Sequence, residues 1–239
     1  MSLDLRAGCD LRQVSDQPFR AADRVWFLAW DTGGAKYLHA NDTQHAIFKN
    51  NCELATRVFD CLDRTQRPFL FATSQLAGTR TGYGMSKLLA ETWADELRGH
   101  VVRLWNVYGW EPPGERCHVI PDLVRSGLSE HHVHCMTSGE ELRRLLYKTD
   151  CVDGLIRFFD QSTRSCDLAG EVWHSIAEVA TMIAELADAS LTFGEEKGTE
   201  VLVDPKSLLP GWRPALSLAD GIGLVVEDAR RYLASSAVS

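Results

Sequence analysis

No stretch of this sequence is long and apolar enough to cross a membrane as a helix. Its first residues lack a charged region followed by an apolar run, so no secretory leader is predicted. A basic run is missing too. Twenty-five lysines and arginines face 33 aspartates and glutamates, for a net charge of −8, which argues against nucleic acid or an anionic membrane as partner. The seven cysteines (9, 52, 61, 117, 135, 151 and 166) are odd in number and never in Cys-x-x-Cys spacing. They read as free thiols in a reducing compartment, and the predicted location is cytoplasmic. There is no repeat or low-complexity linker, and the Ser-rich final residues read as a frayed tail. What is present is an ordinary globular composition, 45% apolar and 24% charged over 239 residues. That is enough chain for a sizeable core in one or two domains.

Hydrophobic periodicity orders the chain. Met1-Ser2-Leu3-Asp4-Leu5-Arg6 reads as a short strand and Cys9-Asp10-Leu11-Arg12 as the approach to another. Arg24 to Trp30 reads as a buried strand running into the turn Asp31-Thr32-Gly33-Gly34. Residues 41–62 carry Ile47, Phe48, Leu54, Val58, Phe59 and Leu62 on one helical side. Phe69-Leu70-Phe71-Ala72 is a second strand ending at Thr73-Ser74-Gln75. A helix follows from Tyr83, and His100 to Trp105 is a third strand. Alternating strands and helices at these spacings predict right-handed crossovers and a parallel sheet. In such sheets ligands sit off the C-terminal strand ends. Gly33-Gly34, Ser74 and Asn106 all fall there. Further helices are predicted from Val119, over 150–159, over 175–187 and over 218–233. Trp26, Trp93 and Trp105 read as core.

Tyr83 and Lys87 lie four residues apart at the start of a helix, so both side chains share a face. An ammonium beside a phenol favours phenolate and is predicted to lower the Tyr83 pKa toward neutrality. A phenol so tuned can exchange a proton with an alcohol. A surface tyrosine and a solvated lysine satisfy the same spacing. His132 and His134 alternate beside Cys135, but nothing nearby completes a tetrahedral set, so a solvated loop and no metal are predicted.

Set in order, Leu28-Ala29-Trp30-Asp31-Thr32-Gly33-Gly34, Asn50-Asn51, Phe71-Ala72-Thr73-Ser74-Gln75, Tyr83 to Lys87, and Arg103-Leu104-Trp105-Asn106-Val107-Tyr108-Gly109 resemble the extended short-chain dehydrogenase/reductase family. Those segments are similar to its Leu-Ala-Ala strand end with Gly-Gly, its paired Asn, its serine strand end, its Tyr-x-x-x-Lys and its Arg-x-x-Asn-x-Tyr-Gly. Cys117-His118-Val119-Ile120-Pro121 and the Gly-Gly loop resemble the branch of GDP-fucose synthase and GDP-mannose 3,5-epimerase. Arg143 to Asp150 and Pro210 to Pro214 are similar to the family's later motifs. The likeness runs from about residue 10 to 233.

The resemblance implies an α/β fold: a Rossmann-like parallel sheet, truncated at its N-terminus, with a smaller C-terminal α/β substrate-binding part. The implied domains are 1–106 with 143–160, and 107–142 with 161–239. It implies a nucleotide-sugar epimerase or keto-sugar reductase using NAD or NADP. Tyr83 would be the acid/base group, Lys87 would tune it and bind the nicotinamide ribose, and Ser74 would bind the same sugar hydroxyl, with Thr73 as the neighbouring substitute. His118 would be a second acid, although a lone histidine before an apolar run is more often structural. Asn51 and Ala29 would line the cofactor site. Gly33, Gly34, Asn106 and Arg143 would meet the substrate, although Asn106 also reads as a strand-end cap and Arg143 as an exposed charge. A homodimer through the helices at 41–62 and 83–98 is implied. The family's glycine-rich turn, Gly-x-x-Gly-x-x-Gly, is missing, since Gly8 stands alone. That departure keeps open a non-catalytic relative that binds nucleotide sugar without the dinucleotide.

Overall fold

The computed structural model describes residues 1–199 and 203–236. Its elements in chain order are α1 (Gln17–Arg20), β1 (Val25–Phe27), α2 (Ala35–His39), α3 (Gln44–Thr65), β2 (Phe69–Ser74), α4 (Gly82–Glu96) and β3 (His100–Leu104). They continue with β4 (Val107–Tyr108), α5 (Val119–Glu130), β5 (His132–Cys135), β6 (Leu142–Arg143), β7 (Leu146–Tyr147), α6 (Lys148–Phe159) and β8 (Ser165–Leu168). The last are β9 (His174–Ser175), α7 (Ile176–Ala187), β10 (Ser190–Phe193) and α8 (Leu218–Ser236). Two compact units result: Met1–Leu104 with Ile156–Asp167, and Trp105–Leu155 with the chain from Leu168 onward.

The first unit is built on a sheet of order β1-β2-β3-β8. β1 lies parallel to β2 with Phe27 opposite Phe71, and β2 lies parallel to β3 with Ser74 opposite Leu104. All six residues of β2 are buried, as expected of a parallel strand covered on both faces. Its aromatic side chains explain why the layer holds. Phe27, Phe59 and Phe71 meet with ring centroids 5.4 to 5.7 Å apart. Trp93 of α4 closes on Phe59 at 5.4 Å. Each such ring removed from water contributes roughly 1.5–3 kcal/mol.

The second unit buries Val124 of α5, Val133 of β5, Val179 and Ile183 of α7, and Ile222 and Val225 of α8 in one cluster. Those positions recur at helical spacing in each helix, which is why the stripes converge. β5 and β10 run parallel, with His132 opposite Ser190.

Several sequence expectations need correction. Residues 1–12 form no strand. Leu5–Ala7 and Leu11–Gln13 are single 3-10 turns, because the Asp4 and Asp10 carboxylates accept the Arg6 and Arg12 amides at 2.7 and 3.0 Å. Such local bonds offer the backbone an alternative to a strand ladder. Trp26 is 42% exposed rather than core, since β1 is an edge strand and Phe27 takes the inward side. Trp26 rests edge-on against Phe159 instead. Residues 132–135 are a strand, not a loop, with the His132 and His134 rings stacked at 6.2 Å. At the C-terminus α8 continues to Ser236, and the remainder of the predicted tail lies outside the described residues.

Glycine at position 84 has a steric reason. A Cβ there would stand 2.6 Å from the Leu76 carbonyl oxygen and in collision with Thr79 Oγ1. The start of α4 therefore lies directly on the turn that follows β2. Overpacking of this kind typically costs about 1–3 kcal/mol. Gly84→Ala is expected to lose about that much in a urea unfolding series; an unchanged midpoint would contradict this contact.

Candidate active site

Three hydroxyls meet where two strand ends face the first turn of α4. Tyr83, 8% exposed, hydrogen-bonds through its phenol with Ser74 at the end of β2 and with Thr32 in the loop after β1. Thr81 starts the helix, its hydroxyl accepting the Gly84 amide at 2.9 Å. One turn on, Lys87 is 3% exposed. Its Nζ donates to the Ala72 carbonyl at 2.6 Å. Over it lies Trp30, with the ring centroid 4.2 Å from Nζ; Phe71 is at 4.8 Å and Tyr83 at 5.8 Å. The Trp30 indole N–H is buried with no hydrogen-bond partner among the described residues. An unmet buried donor costs about 1–3 kcal/mol.

The loop carrying Trp30 and Thr32 is held by Asn51 of α3, which is fully buried. Asn51 Oδ1 accepts the Asp31 amide at 2.7 Å, and its Nδ2 donates to the Asp31 carbonyl at 3.1 Å. Asn50 Nδ2 and the Tyr37 hydroxyl both donate to the Asp31 carboxylate, each at 2.9 Å. On the other side of β2, Thr73 donates to Glu91 Oε2 at 3.0 Å while Arg103 donates to Oε1 at 2.7 Å. Ser74, not Thr73, is thus the neighbour of Tyr83.

Electrostatics run against the sequence expectation for Tyr83. Burial raises its pKa, and the bonds from Ser74 and Thr32 offset only part of that. The lysine does not lower it, because burial also pushes Lys87 well below the ordinary lysine range, with Glu91 only partly opposing. A lysine whose charged form is disfavoured by burial gives a phenolate little support by charge. In this form Tyr83 is a neutral phenol, a proton donor held in line by two hydroxyls.

A model of the NAD dependent epimerase/dehydratase family matches residues 20–167. The chain belongs to that family. Among curated relatives, UDP-glucuronic acid decarboxylase 3 of Arabidopsis thaliana is 27% identical over 172 residues, covering 65% of this chain and 50% of that protein. UDP-glucuronic acid decarboxylase 1 of Xenopus tropicalis is 25% identical over 173 residues, covering 65% and 40%. The chain thus spans about half the length of the curated relatives it matches. In fold it is similar to UDP-glucose 4-epimerase of Thermotoga maritima with UDP-glucose, at TM-score 0.79 and 18% identity over 94% of this chain and 84% of that one. It is likewise similar to UDP-glucuronic acid 4-epimerase of Bacillus cereus in complex with UDP-glucuronic acid and NAD, at TM-score 0.78 and 17% identity over 93% and 80%.

The family's cofactor does not fit Lys87 as it stands. Its amine is sealed by Trp30, at the place of the last alanine in the family's Leu-Ala-Ala. A cavity of about 930 Å³ does lie along the outer edge of β1, walled by Met1, Leu3, Leu11, Phe19, Trp26 and Ala29 among others. It reaches Ala29 but not Trp30, Thr32, Ser74, Tyr83 or Lys87.

The remaining family-implied residues have these places. Asn51 clamps the Asp31 peptide instead of facing a cofactor. Gly33 and Gly34 are buried at the start of α2. Within the second unit, Asn106 takes a positive φ of 32°, a backbone region that asparagine tolerates better than most, and its carbonyl accepts the Leu146 amide. His118 precedes α5, and its Nδ1 and backbone amide lie 2.8 and 2.6 Å from Glu111 Oε1. Burial raises Glu111, but these bonds outweigh it and leave that carboxyl below its usual value. Arg143 donates to the Leu142 and Thr199 carbonyls at 2.7 and 2.6 Å. Sequence reasoning missed Thr32 and Trp30. The one signal for Thr32 was a hydroxyl just before Gly-Gly at a strand end. For Trp30 it was a bulky residue in a small-residue motif.

The Lys87 shift has a sign that can be tested. Between its lowered folded value and the ordinary lysine value near 10.5, the unfolded chain holds a proton that the folded chain lacks. Stability therefore rises with pH through that window, by up to about 1.4 kcal/mol per pH unit for one proton. Tyr83 is shifted up, so its own loss of stability falls at higher pH. In urea unfolding with reductant from pH 7 to 9, Lys87→Met is expected to remove this slope. Parallel profiles for the two proteins would mean that Lys87 stays charged when folded.

Proposed function

We propose that this chain is a nucleotide-sugar epimerase or keto-sugar reductase unit of the family, with Tyr83 moving a proton at a hydroxyl of the sugar ring. The observation that carries the reading is the buried pair of hydroxyls, Tyr83 and Ser74, joined from the exposed side by Thr32. A neutral phenol can deliver its proton to a keto or alkoxide oxygen while Ser74 and Thr32 hold its orientation. The relatives' names, UDP-glucuronic acid decarboxylase and UDP-glucose 4-epimerase, support a UDP-linked sugar over the GDP-linked branch suggested by Cys117 to Pro121. NAD, or NADP, is implied by the family, but no step is assigned to it while Trp30 covers Lys87. His118, Asn106 and Arg143 belong to the proposed substrate side.

One observation favours a second reading, in which the chain binds a nucleotide sugar without turning it over. Lys87 is closed over by a side chain of its own protein. Tyr83→Phe separates the two. With UDP-glucose or UDP-glucuronic acid and added NAD, this variant is expected to lose about 10²–10⁴-fold in turnover while its binding of the sugar nucleotide by calorimetry stays within a factor of two or so. Binding without turnover in the unaltered protein supports the second reading; equal turnover in both proteins sinks the role of Tyr83.

A homodimer is part of the proposal. Phe48 of α3 and Met85, Leu88 and Leu89 of α4 are 41 to 46% exposed, an apolar group on the two helices expected to pair across a two-fold axis. Light scattering is expected to give twice the chain mass, falling to the chain mass in Leu88→Glu with Leu89→Glu. A monomeric unaltered protein would remove the dimer.

A further inference from the structure

We infer that Trp30 is an internal plug: its indole fills the pocket above Lys87 that a hydroxylated ring, such as a ribose, would otherwise enter. The inference rests on the reading of Tyr83 and Lys87 as the family's acid/base pair, and goes beyond it by assigning a gate.

Four observations converge. The indole stands 4.2 Å from Lys87 Nζ, nearer than the Phe71 or Tyr83 ring. Its other neighbours are the Phe71 and Phe27 rings at 5.3 and 5.9 Å, so it is wedged between the sheet and the lysine. Its N–H is buried and makes no hydrogen bond among the described residues. An indole N–H taken out of water normally finds an acceptor, so this partly buried ring sits there with a polar demand unmet. Last, the cavity beside β1 is lined by Ala29, the residue before it, and not by Trp30.

What lies beneath the plug is polar. Lys87 offers an amine, and the Tyr83 phenol with its buried Ser74 partner offers hydroxyls. An amine and hydroxyls around a space the size of an indole suit a ring bearing several hydroxyls, and suit an apolar ligand poorly. Asn51 fixes the backbone at Asp31, so the plug opens by rotation of the Trp30 side chain, with the loop held still.

The test is acylation of lysines by N-hydroxysuccinimidyl acetate at pH 8, read by mass spectrometry at each site. It needs neither turnover nor a sugar nucleotide, so its failure and that of the proposed function are separate. Lys87 in the unaltered protein is expected to react far more slowly than exposed Lys36, Lys49 and Lys197. Trp30→Ala is expected to speed Lys87 labelling on the order of tenfold, because the ring that covers the amine is gone. Circular dichroism checks that the variant is folded. Trp30→Leu, which keeps apolar bulk but ends short of the lysine, serves if the alanine variant is not, with the same expectation. The plug is overturned if Lys87 in the unaltered protein reacts like the surface lysines, or if a folded Trp30 variant leaves it equally protected.

Discussion

The arrangement at the strand ends depends on one side chain gripping one peptide. Asn51 receives the amide of Asp31 and donates to its carbonyl, with no exposure to solvent. A buried peptide group without partners would be costly, and here the helix supplies both. Because α3 is packed on the aromatic layer of the sheet, the clamp transmits that rigidity to a loop with little regular structure of its own. Trp30 and Thr32 flank the clamped residue. One is thereby set over Lys87 and the other against Tyr83.

Burial then decides the chemistry. The Tyr-x-x-x-Lys spacing suggests an ammonium that lowers a phenol, and in water-exposed surroundings that would follow. Here desolvation acts on both groups and pushes each toward its neutral form. Desolvation penalises the lysine's charge before that charge can help the tyrosine. The same four-residue spacing thus gives opposite electrostatics depending on what covers it, and the cover is Trp30.

The layer order was legible because its cause is local. Phe69 to Ala72 and the apolar stripe of α3 carry their periodicity in the chain, and alternation of strands and helices leaves few topologies. The grouping of Ser74 with Tyr83 came from motif order. Residues 1–12 misled, since an alternating apolar pattern was outweighed by two aspartate side chains bonding their own backbone. Trp26 misled because burial of a strand depends on having neighbours on both sides, and β1 has one. Asn51 stands out in the sequence as a cofactor-site residue, yet its amide is spent on the Asp31 peptide. A sequence shows that such an amide is present; only the fold decides which peptide it satisfies.

Trp30 shows where family likeness and physical fit part company. The Tyr83 and Ser74 hydroxyls meet as the motif order implies, so the chain retains a geometry able to orient a phenol. A small residue at position 30 would leave Lys87 open; an indole fills that space and leaves its own N–H unmet. That unmet donor makes the closed state less stable than a perfectly satisfied core would be, and a ligand offering hydroxyls to Lys87 would recover bonds on opening. A plug held by packing, with no hydrogen bond among the described residues and on a loop fixed one residue away, is closed without being locked. Membership of the family therefore says which residues gather under Trp30, and the proposed plug turns the position of Trp30 into the control on their availability.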